Sequence, residues 1–155
     1  MSERSTPDFA ALLGPFIGSV PDAGRPGFLA LLERGAAARY REWAAVDPDD
    51  AAGLVACAAR EEEIAERVER LFPVDAELEY ALKQALPGAR DAYYEVFTGL
   101  PLREQLAIQA SAERQGAAAW RGMAAGLQDP ATREALETCA QLEEANATYL
   151  ETRIG

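Results

Sequence analysis

Histidine is absent from the 155 residues of the chain. This absence excludes a Ser-His-Asp triad, a Cys-His dyad, an HExxH zinc site and a haem held by histidine. The glycine patterns GxGxxG and GxxxxGK[ST], which bind nucleotide phosphates, are missing as well. Catalytic machinery built on imidazole is therefore excluded, and a nucleotide-binding loop is not indicated.

Basic residues, cysteines and long apolar runs are also scarce. The 15 Lys and Arg residues face 26 Asp and Glu residues, and the resulting net charge of −11 argues against nucleic acid or an anionic membrane as a partner. No apolar run approaches the ~20 residues that span a bilayer. The N-terminal apolar segment is broken by Gly14 and Pro15 and makes a poor secretory signal. With two cysteines, we expect a cytoplasmic protein whose thiols are reduced and buried.

The abundance of alanine and the scarcity of β-branched residues predict an all-α fold. Apolar residues at spacings of three and four predict four long helices. They are expected at 26–46, from the DPDD turn (47–50) to about 72, at 101–127, and from the QDPAT turn (128–132) to the C-terminus. Two shorter helices, near 75–86 and 88–98, are expected on either side of Pro87 and Gly88. Residues 1–25 are expected to form an extension packed on a bundle of residues 26–155.

The chain contains an internal repeat. DPDDAAGLVACAAREEEIAERVERLF (47–72) aligns without a gap with DPATREALETCAQLEEANATYLETRI (129–154), and the helices before these segments align as well. The matched pairs include Cys57 with Cys139, Glu61 with Glu143, Glu33 with Glu113 and Tyr40 with Trp120. The repeat predicts one helical hairpin used twice, at 26–72 and 101–155, joined by a crossover at 73–100.

Each long helix carries one glutamate in its apolar stripe, where a core residue is expected. These four residues are Glu33, Glu61, Glu113 and Glu143. Glu33 and Glu61 lie at nearly equal distances from the turn that joins their helices, and the repeat places the other two in the same way. The four carboxylates are therefore expected to meet at one level of the bundle.

Four ionised carboxylates cannot share a dry interior without compensation. Like charges raise one another's pKa, and desolvating each ion costs several kcal/mol. The sequence leaves open divalent cations, protons or the inward-turned arginines Arg34 and Arg114 as compensation; otherwise the bundle must be splayed or hydrated at this level. The two cysteines, one helical turn before Glu61 and Glu143, are expected to be small buried residues, with a soft metal ligand or a disulfide as the alternative.

These residues resemble the ferritin-like superfamily, and its rubrerythrin-like branch in particular. Proteins of that kind combine two helical hairpins, a long crossover and a dimetal centre, with one Glu from each first helix and a Glu-x-x-His from each second helix. In this sequence, Glu33 and Glu113 match the first-helix positions. EEEIAE and EEANAT match the second motif, with Glu61 and Glu143 retained. Ile64 and Asn146 stand where the two histidines belong.

The resemblance implies a degenerate, His-less dimetal site. Its metal ligands would be Glu33, Glu61, Glu113, Glu143 and Asn146. Ile64 cannot ligate, and an all-oxygen site suits Mg, Ca or Mn better than a redox-cycling iron pair. We therefore expect a protein without redox activity that either binds a divalent metal (Mn, Fe, Mg or Ca) or serves, without metal, as a structural or ligand-binding bundle.

The alternative is a dimetal (Fe/Mn) oxidoreductase that acts on oxygen or peroxide through carboxylates alone. Whether the protein is an enzyme stays open at this point. The resemblance also implies a homodimer.

Overall fold

The computed structural model describes residues 6–154, and this part of the chain is helical without any strand. The helices are α1 (Phe9–Gly18), α2 (Arg25–Val46), α3 (Ala51–Leu71), α4 (Ala76–Glu95), α5 (Leu102–Ala125) and α6 (Pro130–Ile154), with one turn of 3-10 helix at Asp22–Gly24. The predicted all-α class is confirmed. The four long helices predicted from periodicity correspond to α2, α3, α5 and α6, close to their predicted ends.

Aspartates start three of the helices, because a side-chain oxygen can accept a hydrogen bond from a backbone N–H that the first turn leaves free. Asp8 accepts from the N–H of Ala11 at 3.1 Å and starts α1. Asp75 accepts from Leu78 at 2.8 Å and starts α4. Asp129 accepts from Thr132 at 3.0 Å before α6. Local sequence chemistry thus sets these helix boundaries.

The helices pack as a bundle in which consecutive long helices are partners. α2 packs along α3, α5 packs along α6, and α3 packs on α6. α2 and α5 face each other across a gap, which α1 and α4 cover from outside. This arrangement leaves a cavity on one side of the bundle.

The region between α3 and α5 was predicted to hold two short helices separated by Pro87 and Gly88, and this prediction is wrong. α4 runs without interruption through both residues. A proline inside a helix removes one backbone hydrogen bond, and packing can compensate for it. Gly88 is where α1 crosses α4: a Cβ added there would lie 2.5 Å from a ring carbon of Phe16. The glycine therefore allows close helix contact and does not end the helix.

The N-terminal extension contains a helix that periodicity did not predict. α1 forms although Pro15 lies within it, and it packs mainly on α4 with further contacts to α2 and α5. Its start is held by Gln115, whose Oε1 accepts a 2.9 Å hydrogen bond from the Phe9 N–H. The Gln115 side-chain amide donates in turn to the Pro7 carbonyl at 2.8 Å. The part of the predicted extension at residues 1–5, like Gly155, lies outside the described residues.

The apolar core is divided into two main clusters, one on either side of the buried glutamates. Tyr40, Trp43, Leu54, Cys57 and Leu150 belong to the first cluster, and Ile64, Val68, Trp120, Leu136 and Cys139 belong to the second. Along α3 and α6, Glu61 and Glu143 fall between members of the two clusters. Within residues 6–154, no helix is long and apolar enough to cross a membrane.

Candidate carboxylate site

The four glutamates of the apolar stripes lie inside the bundle. The exposed fraction is 0% for Glu61, 1% for Glu113 and 2% for Glu143, whereas Glu33 is half-buried. Each comes from a different helix, α2, α3, α5 or α6, because each occupies the inward position of its own helical stripe. Glu33 is therefore the most accessible carboxylate of the group.

Three of the four carboxylates converge on one point. Glu33, Glu61 and Glu143 each present an oxygen, and these three oxygens lie within 4.8 Å of one another. Oxygens at this separation can ligate one ion of 2.0–2.6 Å bond length. Glu113 does not join the trio, although its charge lies close enough to raise the pKa of Glu61 and Glu143.

Glu113 is oriented by a chain of hydrogen bonds. Its Oε1 accepts from the Tyr40 hydroxyl at 2.7 Å and from the Gln109 side-chain amide at 2.8 Å. The Tyr93 hydroxyl donates to Oε1 of Gln109 at 2.6 Å, which directs the Gln109 amide nitrogen toward Glu113. Within the same hairpin, Trp120 Nε1 donates to Oε1 of Glu143 at 3.0 Å. One oxygen of each of these glutamates is thus fixed by an aromatic donor.

Two buried oxygens have no hydrogen-bond partner in the described part of the chain. They are Oε2 of Glu61 and Oε2 of Glu113. A buried polar atom without a partner costs roughly 1–3 kcal/mol, and more when the group is charged. These two atoms are therefore available to accept a hydrogen bond from a ligand or to contact an ion.

Asn146 supports the site through its nitrogen. Its side-chain amide donates to Glu61 Oε1 at 2.9 Å and to the Cys57 carbonyl at 3.2 Å, while its Oδ1 accepts from Arg60 at 3.1 Å. If the amide were rotated by a half-turn, its oxygen would face the acceptors Glu61 Oε1 and the Cys57 carbonyl, and its nitrogen would face the Arg60 guanidinium, a donor. In this structure Asn146 therefore orients Glu61, and its oxygen does not face the three carboxylates as a metal ligand would.

The arginines considered as internal counter-ions turn outward. Arg34 makes a two-pronged salt bridge to Glu69, with bonds of 2.9 and 3.0 Å. Arg114 pairs with Glu151 and Glu144 on the outer face. Among residues 6–154, no salt bridge reaches any of the four inner carboxylates. In this structure these two arginines do not compensate the inner carboxylates, which leaves protons, a bound cation or hydration from the adjoining cavity.

The electrostatics of the site favour proton uptake in the absence of a cation. Burial is the main cause that raises the pKa of Glu61 and Glu143 well above 4.5, and repulsion from the neighbouring carboxylates adds to it. Burial also raises the pKa of Glu33, although hydrogen bonding with Glu61 and Glu143 counteracts part of the effect. The trio is thus held at close range in a medium that disfavours its full ionisation.

The carboxylates form one wall of a cavity of about 280 Å³. The other walls are largely apolar and come from α1, α2, α4 and α5, including Phe9, Leu13, Ile17, Leu29, Leu32 and Leu86. Gly116 also lines it, and a Cβ added there would lie 2.8 Å from the carboxyl carbon of Glu143. This glycine leaves the space that the Glu143 carboxyl group fills.

Both cysteines are buried and free, as expected. Cys57 lies 3.8 Å from a guanidinium nitrogen of Arg60, and no bond joins the two thiols. The symmetric disulfide, which the repeat left open, is not formed in this structure. Neither sulfur belongs to the group of converging ligand atoms.

The sequence analysis assigned no role in the carboxylate site to Gln109, Tyr93 or Arg60. Gln109 was visible as a polar residue four positions before Glu113 on the same stripe, which is the spacing of contacting side chains on a helix. Tyr93 and Arg60 gave no such signal, because their contacts depend on how α4 and α6 dock.

No protein-family model, curated protein or solved structure matches the chain.

Proposed function

We propose that this protein binds a divalent cation through Glu33, Glu61 and Glu143, within a ferritin-like bundle that has no redox activity. The observation that carries the proposal is the convergence of three carboxylates, with oxygens within 4.8 Å of one another and no salt bridge to them from residues 6–154. Two carboxylates would neutralise one divalent ion, and the third would leave the site with a residual negative charge.

The donor set favours a hard cation. All three candidate ligands are carboxylates, which suit Mg, Ca or Mn, whereas imidazole or thiolate donors would favour later transition metals. The Oε2 atom of Glu61, which has no partner in the described part of the chain, is available for such an ion. A bound cation would supply charge compensation and a Lewis-acidic centre next to the cavity.

The residues do not fit a redox-active dimetal centre. Ile64 and Asn146 replace the two histidines that the ferritin-like pattern requires, and the Asn146 oxygen is engaged by Arg60. Glu113, the fourth carboxylate, is held by Tyr40 and Gln109 and stands outside the converging trio. Among residues 6–154, this leaves one converging group of ligand atoms, which supports a single-ion site in preference to the oxygen or peroxide oxidoreductase.

The ferritin-like arrangement is supported by the way the repeat falls on the structure. The first repeated segments form α2 and α3, the second form α5 and α6, and α4 spans the connection between them. The matched glutamates all lie inside the bundle. The matched aromatic residues each donate a hydrogen bond to an inner glutamate, Tyr40 to Glu113 of the other hairpin and Trp120 to Glu143 of its own hairpin.

A second candidate is a bundle whose inner carboxyl groups hold protons instead of a metal. The raised pKa of Glu33, Glu61 and Glu143 favours this possibility, because protonated carboxyl groups can share hydrogen bonds with one another. The protein would then serve as a structural or ligand-binding bundle. A thermal experiment separates the two functions.

The test compares the wild type with the double variant Glu61→Gln/Glu143→Gln, each melted with Mn²⁺ and with EDTA. If a cation binds, Mn²⁺ at a hundredfold excess over Kd stabilises the wild type by about 2.7 kcal/mol. The double variant loses this gain because it lacks two charged ligands. If protons occupy the site, the wild type responds to neither addition, and the variant is equally or more stable.

The matched control is Glu62→Gln/Glu144→Gln. These residues are the next positions in the two helices and carry the same charge, but they face solvent and pair with Arg41 and Arg121. Their loss should leave the Mn²⁺ response intact and cost at most about 1 kcal/mol for each surface pair. A wild type whose melting is indifferent to both Mn²⁺ and EDTA would end the cation proposal.

A further inference from the structure

The cavity beside the carboxylates has the size of a small organic ligand. An engineered apolar cavity of about 150 Å³ accommodates benzene, with its six carbon atoms. By proportion, the present cavity of about 280 Å³ accommodates roughly eleven non-hydrogen atoms. Ordered water alone is a poor occupant, because most of the lining side chains offer no hydrogen bond.

The lining of the cavity is amphipathic. Leucine, isoleucine and phenylalanine side chains from α1, α2 and α4 form the apolar walls, whereas the carboxyl groups lie together on the inner side. Exposed residues, among them Ala10, Arg90 and Ala119, also line the cavity, which therefore reaches the surface of the bundle. A suitable ligand has an apolar chain and one polar end.

The polar end must donate a hydrogen bond or carry a positive charge. The inner side of the cavity presents Glu33, Glu61, Glu113 and Glu143, all of them acceptors when ionised. The unpartnered Oε2 atoms of Glu61 and Glu113 belong to buried side chains of this lining. Even one divalent cation would leave the group with excess negative charge. An anionic head group is therefore disfavoured.

We propose that the cavity binds a single-chain aliphatic molecule of about ten carbons whose head is a non-anionic hydrogen-bond donor, namely a primary alcohol or a primary amine. The chain packs along α1 and α2, and the head contacts the carboxylates near Glu33, the most accessible of the four. This inference goes beyond the proposed cation binding and does not depend on it.

Calorimetric titration with three ligands of equal chain length tests the proposal. The ligands are 1-decanol, decylamine and decanoate, each below the concentration at which it aggregates. The expected result is saturable binding of the alcohol, the amine or both, with decanoate at least about tenfold weaker, which corresponds to about 1.4 kcal/mol. Binding of the amine alone identifies charge pairing as the dominant contact, and binding of the alcohol identifies hydrogen bonding.

Two glycines supply a cavity-filling variant and its matched control. Gly35 in α2 lines the cavity, and an added Cβ there meets no atom within 4 Å. Gly122 in α5 is exposed, also has open space around it, and lies away from the cavity. Both are helical, so leucine at either position should raise helix propensity by about the same amount. Gly35→Leu should weaken binding at least about tenfold, and Gly122→Leu should leave it unchanged.

The outcomes are distinguishable from those of the cation experiment. Manganese binding is measured separately by thermal shift, and Gly35→Leu should retain it, since Gly35 offers no ligand atom. Absence of binding by both alcohol and amine, equal binding of decanoate, or wild-type affinity in Gly35→Leu would each overturn this inference. None of these results bears on whether the carboxylates bind a cation.

Discussion

The side-chain amide of Asn146 donates a 2.9 Å hydrogen bond to Oε1 of Glu61, joining residues 85 positions apart. Asn146 stands where the resemblance to ferritin-like proteins would place a metal-binding histidine. In this structure the residue turns its nitrogen to a carboxylate and its oxygen to Arg60. A position expected to bind metal directly thus orients a buried carboxylate instead.

Replacing Asn146 with alanine should therefore be costly. Asn146→Ala leaves Glu61 Oε1 and the Cys57 carbonyl without this donor. It also removes the oxygen that accepts a hydrogen bond from the Arg60 guanidinium between α3 and α6. The expected loss is about 2–3 kcal/mol in the free energy of unfolding, measured by urea denaturation. Gln141→Ala, at an exposed position of the same helix, should change it by less than about 0.5 kcal/mol. Equal stability of both variants would contradict the assigned role.

Gly116→Ala should weaken cation binding without unfolding the protein. The new methyl group would lie 2.8 Å from the carboxyl carbon of Glu143, and this flexible side-chain end can move aside. Alanine also gains about 1 kcal/mol of helix propensity over glycine. We expect near-wild-type melting in EDTA together with a roughly tenfold loss of Mn²⁺ affinity.

Gly122→Ala provides the comparison for this variant. Gly122 lies in the same helix, and a Cβ there meets no neighbouring atom. The substitution should raise stability by about 1 kcal/mol and leave Mn²⁺ affinity unchanged. If both alanine variants bound Mn²⁺ equally well, the space next to Gly116 would be irrelevant to the site.

The protein treated with EDTA should lose stability as the pH rises from about 5 to about 8. Glu61 and Glu143 have pKa values raised well above 4.5 in the fold, so the folded state binds their protons more tightly than the unfolded state does. Their contribution to the free energy of unfolding is complete below pH 4.5. It disappears as the pH rises through the pKa values that the two groups have in the folded state. Denaturation at several pH values measures the slope, which is at most about 1.4 kcal/mol per pH unit for each group.

Surface groups act in a different pH range. Glu137 and Glu144 pair with Arg121, and this pairing lowers the pKa of both. Their stabilisation is present above 4.5 and is lost only as the pH falls below it. In the variant Glu61→Gln/Glu143→Gln, the free energy of unfolding should therefore change less between pH 5 and 8. Its decrease in acid should be the same as in the wild type. An unchanged slope in this variant would mean that other groups control it.

The thiols should react only when the bundle opens. Burial raises the pKa of Cys57 to about 12 and that of Cys139 to about 11, and the reactive form of cysteine is the thiolate. We expect slow labelling of both residues at pH 8, accelerated by urea in parallel with unfolding. The two single Cys→Ala variants report each rate separately. Immediate labelling of the native protein at either site would contradict the structure.

The four long helices and their buried glutamates could be predicted because both depend on local periodicity. A glutamate on an apolar stripe must face the core wherever the helix docks, and the repeat extended this reasoning from Glu61 to Glu143. The ligand geometry could not be predicted in the same way. Whether Glu113 joins the other three depends on side-chain hydrogen bonds from Tyr40 and Gln109, which sequence spacing does not determine.

The two misjudged segments share a physical cause. Pro87 with Gly88 was interpreted as a helix break, and no helix was predicted around Gly14 and Pro15; glycine and proline both destabilise isolated helices. In the structure α1 and α4 stabilise each other, with Phe16 packed against Gly88. Tertiary contact between two segments that are distant in sequence therefore outweighs the local preference of each.

The attachment of α1 has a kinetic consequence. This helix has 10 residues and closes one side of the cavity, and a single glutamine fixes its N-terminal end to α5. A short element with few anchors opens at a lower free energy than the long hairpins beneath it. A ligand of the proposed cavity would exchange through the opening at the surface, and local opening of α1 would widen this route while the hairpins stay folded.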